Sequence, residues 1–104
     1  MNMQNLGIKG YVDRYNDYAK AGNAAFEDVC DSIESNHKIV FDMKGIDAVS
    51  TVFLNAFFGQ LIDKYGIDRI KSSFKFSGLL KSQFDRIRKY FVDYAALLEE
   101  KCVK

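Results

Sequence analysis

Residues 38–65 read KIVFDMKGIDAVSTVFLNAFFGQLIDKY, and this stretch decides the fold. Its first part, residues 38–43, is short, rich in β-branched and apolar side chains and bounded by polar sequence, which predicts a buried central strand. Ser50 and Thr51 then precede an apolar series at helical spacing, so both are candidate N-caps of a helix. The series comprises Phe53, Leu54, Phe57, Phe58, Leu61, Ile62 and Tyr65. Because glycine readily adopts the left-handed conformation just past a helix end, we expect this helix to end at Gly66.

The carboxyl-terminal sequence continues the alternation of strands and helices. We expect a strand within residues 67–76. The segment after it has apolar residues at steps of three and four, which predicts a long helix. These residues are Leu80, Phe84, Ile87, Phe91, Tyr94 and Leu98.

The amino-terminal sequence is less decisive. Residues 3–12 alternate loosely and contain Gly7 and Gly10, which leaves two interpretations open: an edge strand or small hairpin, or a helix beginning near Tyr11. From Asn23, a reasonable N-cap, apolar residues recur every three or four positions and predict an amphipathic helix that ends near Asn36. Strands that alternate with helices indicate an α/β fold.

Size and composition restrict the class of protein. A chain of 104 residues, of which 48% are hydrophobic, has the size and composition of a single packed domain, here residues 1–104. The formal charge of +1 gives no global attraction to nucleic acid or to an anionic membrane. The first residues show no signal-peptide pattern and no apolar run approaches the ~20 residues of a membrane span, so we expect a cytosolic protein without membrane contact.

Residues 39–61 resemble the STAS-like domain family. Members share a strand that reads roughly V-x-D-F-x-G-V, a short loop, and a hydroxyl-rich helix start followed by an apolar-apolar-Gly-x-Leu ending. The resemblance implies a four-stranded sheet, mostly parallel or mixed, flanked by about three helices. It also implies a regulatory protein that binds a partner and catalyses no reaction.

The resemblance also implies a switch. In anti-sigma-factor antagonists, a partner kinase phosphorylates a Ser or Thr at the start of the helix after the central strand, and the complex then dissociates. Aligning the strand, loop and helix places Thr51 at that position, with Ser50 as the second candidate. Here Ser50-Thr51-Val52-Phe53 replaces the usual D-S-S-G.

The partner implied by the resemblance is a histidine-kinase-like ATPase of the anti-sigma type. We expect it to contact the loop and the helix start, at Ile46, Asp47, Val49, Ser50, Thr51 and Asn55. A phosphate would be tolerated there, because the positive end of the helix dipole and unpaired backbone N–H groups lie beside it. The alternative is that Ser50 or Thr51 only caps the helix.

A second function class is left open by the distribution of charge. Residues 64–89 carry eight basic and two acidic side chains, so a nucleic-acid-associated protein that uses this segment is the alternative function. The basic residues are Lys64, Arg69, Lys71, Lys75, Lys81, Arg86, Arg88 and Lys89. Absence of a nucleic-acid-binding signature makes an ordinary solvated surface the simpler interpretation.

Other residues favour neither an enzyme nor a cofactor. The sequence has one histidine, His37, in a predicted turn, and two separated cysteines, Cys30 and Cys102, which do not form a metal-ligand pattern. We therefore expect no catalytic residue, no metal and no cofactor. The last part of the final helix, with Tyr94, Leu97 and Leu98, is the candidate surface for a homodimer.

Overall fold

The computed structural model describes residues 3–48 and 50–102, with side chains as far as residue 97. These residues form three strands, six α-helical segments and one π-helical turn. The elements are β1 (Met3–Gly7), α1 (Ile8–Tyr15), α2 (Tyr18–Glu34), β2 (Lys38–Asp42), α3 (Thr51–Leu54), a π-helical turn (Asn55–Gly59), α4 (Gln60–Tyr65), α5 (Ile67–Ser73), β3 (Phe74–Ser77) and α6 (Lys81–Cys102). The segments α3, the π-helical turn and α4 follow one another without a break and form one helix, the 51–65 helix.

The sheet has the order β1-β2-β3, and both strand pairs are parallel. Leu6 of β1 and Phe76 of β3 both lie opposite Phe41 of β2. The predicted α/β class and the central strand are confirmed. Within the described residues the sheet has three strands rather than about four and is purely parallel, and the helices number five rather than three.

Two segments account for these differences. Most of residues 67–76 form α5, and the strand predicted there is confined to its end, at β3. Gly66, with φ of 93°, separates α5 from the 51–65 helix, and α5 turns Ile70 into the core. Residues 3–12 contain both alternatives that the sequence left open, since β1 is followed directly by α1.

The sheet is covered on one face. Side chains alternate between the faces of a strand, and those of Leu6, Ile39 and Phe41 are buried beneath the helices. Asn5 and Lys75 belong to the alternate set and are exposed. The architecture is therefore a two-layer sandwich, with helices on one face of the sheet only.

Aromatic rings fill the space between the two layers. The ring centroid of Phe41 lies 5.7 Å from that of Phe57 and 5.1 Å from that of Phe58. The ring centroid of Phe58 lies 5.0 Å from that of Phe91 in α6. Burial of each such ring contributes about 2–3 kcal/mol. The π-helical turn contains the consecutive residues Phe57 and Phe58, and its wider turn lets both rings pack against the sheet.

Helix α2 begins five residues before its predicted N-cap. Asp17, not Asn23, is the N-cap, and its carboxylate accepts a hydrogen bond from the Lys20 backbone N–H at 3.0 Å. The added turns bury Ala21 and Gly22. A Cβ on Gly22 would lie 2.6 Å from the Cβ of Ala56, so this glycine allows α2 to pack closely against the 51–65 helix.

Candidate functional site

The loop between β2 and α3 begins with a turn fixed by Asp42. Its carboxylate accepts a hydrogen bond from the Lys44 backbone N–H at 3.0 Å, and the Ile46 N–H donates to the Met43 carbonyl at 3.0 Å. The loop follows the carboxyl end of the central strand, next to the loop that follows β3. It therefore brings the start of the 51–65 helix close to the start of α6.

Ser50 is the N-cap of the 51–65 helix. Its hydroxyl accepts a hydrogen bond from the Phe53 backbone N–H at 3.3 Å, and its carbonyl accepts from the Leu54 N–H at 3.0 Å. The side chain is half-buried. The capping function that the sequence left open between two residues thus belongs to Ser50.

Thr51 is exposed, and its hydroxyl takes part in a hydrogen bond with another helix. Its hydroxyl accepts a hydrogen bond from the guanidinium group of Arg86, which lies in the second turn of α6. Since Ser50 already caps the helix, the Thr51 hydroxyl is not required for capping. It lies at the first helical residue, beside a permanent positive charge.

Helix α6 supports the site at two further points. Gln83, which is only 3% exposed, accepts from the Leu80 N–H at 2.8 Å and donates to the Ile46 carbonyl at 2.6 Å. The Tyr90 hydroxyl donates to the Asn55 side-chain carbonyl at 3.0 Å. The loop and the helix start are therefore held to α6 by Gln83, Arg86 and Tyr90.

This arrangement falls largely within a known sequence family. A family model described as a STAS-like domain of unknown function matches residues 27–83, from the second half of α2 to the first turn of α6. The chain belongs to this family. The comparison with curated proteins gave no match, and neither did the comparison with solved structures.

Membership of the STAS-like family confirms the resemblance seen in residues 39–61. The matched part of this STAS-like domain includes the loop, Ser50, Thr51 and Gln83, but it ends before Arg86 and Tyr90. The domain's family favours a regulatory protein-interaction module.

The described members of the predicted partner-binding set lie in the loop before the 51–65 helix and in the first turns of that helix. Asp47, Thr51 and Asn55 are exposed, and Ile46 and Ser50 are half-buried; Val49 lies outside the described residues. Two exposed apolar residues belong to the same segment, Ala48 and Val52, of which Val52 is 54% exposed. Val52 falls outside the apolar stripe of the 51–65 helix.

The contacts of α6 bear on the predicted dimer surface. The Tyr94 hydroxyl donates to the Asp63 carboxylate at 2.7 Å, so this side chain already packs against the 51–65 helix. Burial, with a smaller effect of the Asp63 charge, raises the pKa of Tyr90 to about 12. Leu97 is 56% exposed, and the side chain of Leu98 lies outside the described residues, so dimerisation stays a prediction.

Three basic residues of segment 64–89 contact different elements of the STAS-like domain. Lys64 lies 3.8 Å from the Glu34 carboxylate, and Arg69 donates to the Ile33 carbonyl at 2.8 Å. Arg86 contacts Thr51 on another side of the molecule. These three residues therefore each have a contact within the domain, and nucleic-acid binding stays a prediction without added support.

The remaining candidates of the sequence have ordinary structural positions. The Cys30 thiol donates to the Phe26 carbonyl at 3.2 Å within α2, and His37 is half-buried between α2 and β2. Within the part of the chain that the structure describes, no group of three or more His, Cys, Asp or Glu side chains is arranged to hold a metal ion. No helix there is long and apolar enough to cross a membrane.

Proposed function

We propose that this STAS-like domain is a non-enzymatic regulatory module that binds a protein partner through its 46–55 surface. This surface comprises the described residues of the loop from Ile46 to Ser50 and the helix start from Thr51 to Asn55. Phosphorylation of Thr51 would switch the binding. The proposal rests on the different hydrogen bonds of two neighbouring hydroxyls. The Ser50 hydroxyl caps the helix, whereas the exposed Thr51 hydroxyl does not cap it and accepts a hydrogen bond from Arg86.

The surroundings of Thr51 suit a phosphate. In the proposed step, the hydroxyl oxygen of Thr51 takes the γ-phosphoryl group of ATP, the bond to ADP breaks, and the hydroxyl proton is released. The product is a dianion beside the positive end of the 51–65 helix and the guanidinium of Arg86, and both stabilise added negative charge. Phosphorylation would therefore leave the fold intact while it changes the charge of the surface.

The surface also has the composition of an interface. Val52 provides an exposed apolar side chain, and the exposed polar residues Thr51 and Asn55 lie one and three positions from it on the helix, with exposed Asp47 in the preceding loop. Interfaces between proteins commonly combine an apolar centre with a polar rim. A phosphate on Thr51 would place two negative charges at the border of this centre, and the cost of desolvating them would oppose docking.

The proposed partner class rests on the likeness between STAS-like and STAS domains. The chain belongs to a STAS-like family, and anti-sigma-factor antagonists are STAS domains that meet a histidine-kinase-like ATPase. We assign the same class of ATPase as the partner and kinase here. In this scheme the domain supplies the acceptor hydroxyl and the docking surface, and the partner supplies the catalytic groups.

The test combines capture with matched charge variants. The tagged full chain is used to recover proteins from a lysate of its source cells, and mass spectrometry examines the recovered proteins and residue 51. Thr51→Glu should reduce recovery of the ATPase at least about tenfold, whereas Thr51→Ala should retain it and remove the phosphate. Asn5→Glu adds the same charge on the open face of the sheet and serves as the control.

Two results would contradict the proposal. One is equal recovery of the ATPase by the wild-type chain and by Thr51→Glu. The other is an equal loss with Asn5→Glu, which would show that total charge, and not the 46–55 surface, governs binding. Thermal denaturation of each variant separates loss of binding from loss of fold.

A further inference from the structure

A second surface lies at the edge of the sheet, away from Thr51. A groove of about 210 Å³ is formed where α5, β3 and α6 meet. Its lining is mainly apolar, with Ile70, Phe76 and Phe84 among the contributing residues, and two cationic side chains, Lys71 and Arg88, complete it. Among the side chains that the structure describes, none that lines the groove is acidic.

The apolar wall of the groove is open to solvent at one end of α6. Ile87 and Phe91 are buried, whereas Phe84 is 43% exposed and Leu80, just before the helix, is 62% exposed. The apolar stripe that predicted α6 is thus covered by the core over only part of its length. The exposed side chains of Phe84 and Leu80 are therefore accessible to a ligand beside the groove.

The groove borders an unpaired strand edge. In the described sheet, β3 pairs with β2 on one side only, so the backbone groups of its other edge face no strand. A parallel or antiparallel segment can add to such an edge through backbone hydrogen bonds, while pockets beside it select alternate side chains. Phe76 points into the groove, and its neighbour Lys75 points to the open face of the sheet.

Charge decides which occupant fits. Lys71, Lys75 and Arg88 are exposed and make no ion pair among the described residues. A second copy of this chain placed on the same edge by two-fold symmetry would bring these cations against their equivalents, and a lysine within an edge strand opposes such pairing. An acidic segment gains attraction at the same three positions.

We propose that an extended acidic segment of a partner protein adds to β3 as a fourth strand. Its large apolar side chains occupy the groove, and its alternate Asp or Glu side chains lie near Lys75 on the open face. Lys71 and Arg88 attract further carboxylates at the rim of the groove. This surface does not include Thr51 and does not depend on phosphorylation.

A library of random twelve-residue peptides displayed on phage provides the probe. The full chain is screened beside two charge-reversed chains, Lys71→Glu/Arg88→Glu and the control Arg14→Glu/Lys20→Glu. The control makes the same change of charge at exposed residues of α1 and α2, which follow β1, the opposite edge strand. We expect the wild-type chain and the control to enrich peptides in which Leu, Ile or Phe alternates with Asp or Glu.

The affinity of the enriched peptide and its place of binding complete the test. Lys71→Glu/Arg88→Glu should weaken it at least about tenfold, since two attractive pairs become repulsive. In nuclear magnetic resonance spectra, the amide signals of Phe74–Ser77 and of the first half of α6 should shift, and the β3 amides should exchange more slowly. The proposal is overturned by failure to enrich an acidic motif, by equal affinity for the charge-reversed chain, by shifts confined to residues 46–55, or by self-association through β3.

Discussion

Arg86 of α6 donates a hydrogen bond to the hydroxyl of Thr51 at the start of α3, across 35 positions of sequence. The two helices follow the adjacent strands β2 and β3, so their first turns meet at the same end of the sheet. Thr51 and Arg86 are both exposed, and their contact links two elements at the border of the 46–55 surface. A polar residue of α6 therefore borders this surface.

The different roles of Ser50 and Thr51 should be visible in stability. Ser50→Ala removes the side-chain cap and should lower the free energy of unfolding by about 1 kcal/mol. Thr51→Ala removes only an exposed hydrogen bond and places a better helix former at the first helical residue, so its effect should be under about 0.5 kcal/mol. Urea denaturation measures both values, and equal losses would show that Thr51 also caps the helix.

Gln83 should be the polar residue whose loss costs most at this site. Gln83→Leu keeps the volume but leaves the Leu80 N–H and the Ile46 carbonyl without their partner. An unpaired buried group costs about 1–3 kcal/mol and these two bonds are part-buried, so we expect a loss of about 1–2 kcal/mol in the free energy of unfolding. The adjacent exposed variant Ser82→Ala should change it by less than about 0.5 kcal/mol. A Gln83→Leu chain as stable as the Ser82→Ala chain would contradict the bridge.

Two glycines in helices should respond in opposite directions to alanine. Gly22→Ala places a Cβ 2.6 Å from that of Ala56, and this overpacking should destabilise the fold by about 1–3 kcal/mol. Gly10→Ala in α1 meets no atom within 4 Å, so the gain in helix propensity should stabilise the fold by about 0.5–1 kcal/mol. Denaturation of both variants checks the packing of α2, and stabilisation by Gly22→Ala would show that α2 lies farther from the 51–65 helix.

Tyr94 should make stability depend on pH in the alkaline range. Burial, followed by the hydrogen bond to Asp63, raises the pKa of Tyr94 from 10.0 to about 12. A pKa raised by folding means that this contribution to stability is complete below pH 10 and is lost as the pH rises through about 12. Tyr94→Phe should therefore lose less stability than the wild-type chain between these values.

Asp63→Asn provides the complementary measurement for Tyr94. It removes the carboxylate that accepts the tyrosine hydroxyl and should lower the pKa of Tyr94. Ultraviolet absorbance of tyrosinate follows the ionisation. An unchanged titration in this variant would mean that Asp63 does not influence Tyr94.

The elements that the sequence predicted best are those whose pattern is local. The apolar patterns of β2 and of the 51–65 helix are each complete within that element, and both elements lie where expected. Helix α5 was missed because residues 67–73 contain only two apolar side chains that meet the core, Ile67 and Ile70, which are too few to show a helical period. The early start of α2 was missed because Ala21 and Gly22 are small, and their burial depends on the neighbouring Ala56.

The candidate site divides in the same way. Ser50 and Thr51 were predicted as hydroxyls at a helix start, which is a property of neighbouring residues. Their separate roles depend on Arg86, whose contact with Thr51 comes from the packing of α6 and has no local signal. Gln83 was missed for the same reason, since a glutamine in a helix is ordinarily exposed.

Helix α6 connects the two surfaces that we assign. Arg86 and Arg88 are two residues apart, which on an α-helix places them about 200° apart around the axis. Arg86 faces Thr51, and Arg88 lines the groove beside β3. Since the two arginines point to different sides of α6, the two surfaces do not overlap. We therefore expect occupation of one surface to leave the other accessible, so that the domain can hold two partners at once.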